Sequence, residues 1–130
     1  MSAQKTNQKI AAYSLVALTV LVGAFHYWEG ITITSPKSGE RIVAALMIIG
    51  CAVLIPFGYR SARISIGALF LFFAAINSLV VLSYVRDFSN NSLEIVSITA
   101  ILGLVGYSML AWKGVRVFET ERENRALANS

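Results

Sequence analysis

Four apolar runs that contain no Lys, Arg, Asp or Glu constrain this chain more than any other feature: Ile10 to Trp28, Ile42 to Tyr59, Ile64 to Tyr84 and Ile95 to Trp112. Each approaches the ~20 residues that a helix rising ~1.5 Å per residue needs to cross a ~30 Å hydrocarbon core. Backbone N–H and C=O groups have no water to bond in lipid, so each run must satisfy its own, and only a helix does that within one segment. An outer-membrane barrel would need alternating strands, and these runs do not alternate. The third run carries twelve Leu, Ile, Phe or Val residues, about −4 to −7 kcal/mol of insertion free energy at ~−0.3 to −0.6 each. That outweighs its single asparagine and its serines. The prediction is an all-α integral membrane domain over residues 1–130, with four transmembrane helices in an antiparallel up-down bundle.

The rest of the composition agrees with lipid as the solvent. The chain is 56% hydrophobic and 14% charged, with a mean hydropathy of +0.66, outside the usual range of soluble domains. A net charge of +4 invites a nucleic-acid reading. The basic residues, however, cluster at the ends of apolar runs rather than on one polar face, so we exclude nucleic acid as a partner. The one cysteine, Cys51, rules out an intrachain disulfide and an intrachain thiolate metal cluster.

Charge distribution sets the expected orientation. With four crossings the N-terminal tail, the Arg60 to Arg63 link and the C-terminal tail share a side holding Lys5, Lys9, Arg60, Arg63, Lys113, Arg116, Arg122 and Arg125. The other side holds Lys37, Arg41 and Arg86. That bias puts both termini in the cytoplasm, and we place the chain in a bacterial or archaeal cytoplasmic membrane. Tyr27, Trp28 and Tyr84 then fall at the outer interface, Tyr59 and Trp112 at the inner one, the layer that suits amphipathic rings. Lys5 and Lys9 ahead of a short apolar stretch and Val22-Gly23-Ala24 mimic a secretory signal, but we read the segment as a retained first span.

The link Arg60 to Arg63 is short enough to make spans two and three antiparallel neighbours, and Pro56 with Gly58 ends span two. The outer connection Glu29 to Arg41 begins with the alternation Ile31-Thr32-Ile33-Thr34, a weak strand signal outweighed by an extended loop on the interface. Around Phe88 to Ser92 the sequence reads as a turn, with Asn91 or Ser92 capping span four. Past Trp112 the spacings Glu119 to Arg122 and Glu121 to Arg125 favour a helix, so span four is expected to extend into the cytoplasm as a tail over residues 113–130. Val115 and Phe118 are its candidate partner-binding residues.

Few residues offer chemistry. Asn77 is the one strongly polar residue near the middle of a span, expected to bond a neighbouring helix beside a small-residue ridge of Ala74 and Ser78. Thr99, Gly103 and Gly106 make a second surface where a backbone can approach. His26 and Glu29 share a face at i,i+3 and are the sole metal candidates. One histidine cannot supply bis-histidine haem ligation, and zinc draws on three or more protein ligands, so the pair reads better as an interfacial belt. No nucleophile-base set, phosphate loop or zinc motif is present, and no cofactor is expected. These observations favour an accessory or assembly subunit of a larger membrane complex, in contact with lipid and with other subunits or its own copies. A small oligomeric transporter with its pathway between subunits is the alternative, and an enzyme built on His26 and Glu29 ranks third.

Overall fold

A computed structural model describes residues 3–32, 36–84 and 90–130, with side chains at 84 and 90–92 left aside. The chain runs through α1 (Ala3–Thr32), α2 (Ser38–Leu54), α3 (Arg60–Tyr84), α4 (Asn90–Ala111), a 3-10 turn (Lys113–Arg116) and α5 (Val117–Ala128), with no strand among the described residues. Among the described residues, three helices are long and apolar enough to cross a membrane, Ala3–Thr32, Arg60–Ser83 and Leu93–Ala111, as in a multi-pass membrane protein.

The chain divides into two compact units, Met1–Arg63 with Lys113–Ser130, and Ile64–Trp112. In the first unit α1 packs on α2 through a stripe of small residues. Ala12, Val16, Thr19 and Gly23 recur every three or four positions and are buried, as are Ala45, Ile48 and Ala52 facing them. A Cβ on Gly23 would stand 2.7 Å from Ile49 Cγ1, and one on Gly30 would stand 2.8 Å from Ile42 Cγ1. The missing side chains of α1 thus make room for the isoleucines of α2, the dispersion-driven packing that replaces the hydrophobic effect in lipid.

Pro56 shapes the end of α2. It has no N–H to give Ala52, and Ile55 N–H bonds the Ala52 carbonyl instead at 3.2 Å. The chain then closes with Gly58 N–H on the Ile55 carbonyl (2.9 Å) and Tyr59 N–H on the Leu54 carbonyl (3.4 Å), the two bonds of a Schellman motif. Gly58 takes φ +80°, the left-handed conformation that motif requires. Regular α2 therefore ends at Leu54 rather than Tyr59, and Arg60 to Arg63 form the first turn of α3 rather than a loop.

The other ends differ from the sequence reading as well. Ile31 and Thr32 belong to α1, because an amphiphilic boundary helix overrides their β propensity. Ile33, Thr34 and Ser35 lie outside the described residues, as do Asp87, Phe88 and Ser89. Helix α4 starts at Asn90, which places Asn91 and Ser92 inside its first turn instead of at its cap. Helix α4 also stops at Ala111, and the tail is a separate helix beyond a 3-10 turn that contains Gly114.

In the second unit α3 and α4 meet through glycine. A Cβ on Gly106 would lie 3.0 Å from the Gly67 carbonyl oxygen and 3.0 Å from Leu71 N, whereas one on Gly103 would meet Ala74 Cβ at an ordinary 3.8 Å. Gly106→Leu is accordingly expected to cost about 1–3 kcal/mol, since backbone cannot yield as a side-chain tip can, and Gly103→Ala to change stability by less than about 0.5 kcal/mol. Unfolding by titrated denaturing detergent tests the pair. Equal losses would refute the close approach at Gly106.

Candidate functional site

Five hydroxyls inside the long helices are satisfied locally. Ser14, Thr19, Ser78, Ser97 and Thr99 each donate to the carbonyl four residues back at 2.7–3.0 Å, which removes the cost of an unmade hydrogen bond without a partner helix. Asn77 differs. It is half-buried in α3, and its amide makes no side-chain hydrogen bond to another described residue. The expected bond to a neighbouring helix is thus not made within the described chain. Ala74 is buried opposite Gly103, while Ser78 is exposed and bonded to the Ala74 carbonyl. Gly67, which approaches Gly106, escaped the sequence reading because no small residue follows it at four positions; Leu71 stands there.

Where α1 meets α2 near their connection, His26 Nδ1 lies 3.4 Å from Glu29 Oε2. The contact does not amount to a hydrogen bond, and that ring nitrogen, closed off from solvent, has no hydrogen-bond partner among the described residues. Arg41 reaches the same Glu29 oxygen at 3.3 Å. A guanidinium there competes with any cation for the carboxylate. No group of three His, Cys, Asp or Glu side chains converges among the described residues.

At the other end of the α1–α2 pair the chain builds a polar assembly that the sequence did not announce. Helix α5 lies against the start of α1 and the α2–α3 link. Phe118 is buried and meets Tyr13 edge-on, with ring centroids 4.9 Å apart. Glu119 pairs with Arg63, whose side chain is only 4% exposed. Lys9 Nζ donates to both carboxylate oxygens of Glu121 at 2.9 and 3.1 Å. The Arg122 guanidinium sits 4.1 Å from the centre of the Tyr59 ring, a cation–π contact. Gly58 admits α5 to this place, since a Cβ there would stand 2.5 Å from the Phe118 carbonyl oxygen and 2.7 Å from Arg122 Cβ.

This arrangement alters two expectations about the tail. The carboxylates of Glu119 and Glu121 pair with Arg63 and Lys9 on other segments, and Arg125 bonds the Glu121 backbone carbonyl (3.3 Å) instead of its carboxylate. Val115 and Phe118 are enclosed by this chain, at 0% and 1% exposure, and so present no free surface to a partner. Two clefts flank the docked helix. One of about 250 Å³ is lined by Gly58, Arg60, Glu119, Arg122, Glu123 and Ala126; the other, of about 220 Å³, includes Lys5, Lys113 and Arg116. Comparison with protein-family models, curated proteins and solved structures returns no match for this chain.

Proposed function

We propose that the chain is a four-span integral membrane protein with both termini in the cytoplasm, acting by helix packing as an accessory or assembly subunit of a larger membrane complex. The four-span reading draws on α2. Ile42 lies beside Gly30 near the end of α1, and Gly58 lies beside α5, which itself touches Lys9 and Tyr13 near the start of α1. Helix α2 and its Schellman turn thus travel the length of the apolar part of α1, and its 17 residues fall within the range of known spans. A return crossing by α2 also puts the start of α1, the α2–α3 link and α5 on one face, the face that carries eight of the eleven basic residues.

Asn77 carries the assembly reading. A primary amide in hydrocarbon costs several kcal/mol when unbonded (about 4–8 on a scale with no hydrogen-bonding solvent), and a helix cannot satisfy it as it satisfies a hydroxyl. A polar group on another subunit would. Large apolar side chains remain exposed on all four long helices, among them Leu21, Met47, Leu79 and Leu104, leaving wide surfaces for lipid or neighbouring helices.

The expected result is a native mass above the 14.1 kDa of one chain, from copies or a co-purifying subunit, after extraction in mild detergent. Asn77→Leu should weaken that association about three- to twenty-fold, as an interhelical hydrogen bond of ~0.6–1.7 kcal/mol implies. A strictly monomeric wild-type particle with no companion would overturn the proposal.

A further inference from the structure

The two clefts beside α5 differ in charge. In the first, Glu119 is taken by Arg63 and Arg122 by the Tyr59 ring, and the remaining charges of its lining, Arg60 and Glu123, are equal and opposite. The second is lined by Lys5, Lys113 and Arg116 with the amides of Gln8 and Asn124 and the carboxylate of Glu121. Glu121 is already engaged by Lys9. The three other cations make no ion pair with a described residue, and they converge on one space of about 220 Å³. Like charges held around a cleft disfavour each other unless an anion enters.

We propose that this cleft binds the phosphate of an anionic membrane lipid headgroup. Its level in the chain supports the choice. Lys5 precedes the first apolar run by about one helical turn, and Lys113 directly follows Trp112, an interfacial residue at the end of α4. Phosphate-bearing headgroups occupy that layer, and basic pockets among transmembrane helices recognise them. Arg116 offers a fork that matches two phosphate oxygens, the lysines supply point charge, and the amides donate to the remaining oxygens. The shared chemistry is a phosphate mono- or diester. This site stands apart from the assembly role and needs no second subunit.

The test uses the full chain in mild detergent, titrated with phosphatidylglycerol or phosphatidylcholine and read by native mass measurement, with inorganic phosphate and glycerol 3-phosphate as soluble arms. Preferential retention of phosphatidylglycerol, weakened about ten- to thirty-fold in Lys113→Gln/Arg116→Gln and little changed in Arg60→Gln, supports the site. Displacement of that lipid by millimolar phosphate assigns the same cleft to a soluble phosphate as well. Equal retention of the two lipids, or equal losses in the cleft variant and Arg60→Gln, overturns it. Lys5→Gln, on an exposed residue of the first helical turns, gives an independent reading without touching the buried docking of α5.

Discussion

Glu119→Ala is expected to lower the stability of the docked C-terminal helix by about 3–5 kcal/mol, the cost of stranding one partner of a buried ion pair. Arg63 is 3% exposed and Glu119 approaches its Nε from α5. Without the carboxylate, the buried guanidinium loses the counter-charge that fastens α5 to it, and the seat of α5 weakens. Tryptic cleavage at Arg122 and Arg125 reads the release of α5 directly, and a loss of 3 kcal/mol corresponds to about a 150-fold rise in the open population. Replacing both partners by apolar residues, as in Arg63→Met with Glu119→Leu, should restore much of the loss, because an uncompensated charge rather than a missing attraction causes it. Glu119→Ala with wild-type protease resistance would show that the pair contributes nothing to docking.

The half-buried Lys9–Glu121 pair makes a useful contrast. Its side chains retain 34% and 25% of their exposure, so water and salt screen it, and pairs of this kind contribute about 0–1 kcal/mol. Geometry alone does not separate the two pairs. Burial does, and burial is what the linear sequence withheld.

Charge-free apolar runs were legible because lipid enforces them residue by residue. Their ends were less so. The second run reads as apolar through Phe57 and Tyr59, yet the helix stops at Leu54 because Pro56 removes a donor and Gly58 reverses the chain, and apolar turn residues hide that change. Ile31 and Thr32 carried a strand signature on the last turn of a helix. The tail was harder still. Spacing shows that Glu119 and Arg122 share a face, but it cannot say that the face meets Arg63 and Tyr59, which are more than fifty positions away. A clue was present in Phe118, the one aromatic residue of the highly charged α5, beside an acidic residue and downstream of a link rich in arginine. Ala74 and Gly103 were identified from small-residue spacing and do face each other, whereas Gly67 needed the partner helix to be seen.

Phe118→Ala should cost about 3–5 kcal/mol, combining the lost contacts of a buried ring with the cavity left behind. The ring is 1% exposed and set edge-on to Tyr13, an arrangement that itself contributes about 0.5–1.5 kcal/mol. The cavity cannot close easily, because the nearby backbone is committed on both sides: Gly58 is held by the Schellman bonds, and α5 is held by its carboxylates. Phe118→Leu keeps most of the volume and should lose less than half as much. Since Phe118 and Glu119 fasten the same helix, once α5 has left its seat the second contact has nothing further to lose. Glu119→Ala combined with Phe118→Ala is therefore expected to fall short of the sum of the single losses by more than about 1 kcal/mol, the signature of coupled neighbours. Strict additivity in detergent unfolding, together with unchanged tryptic cleavage of Phe118→Ala, would mean that α5 is not held as one unit.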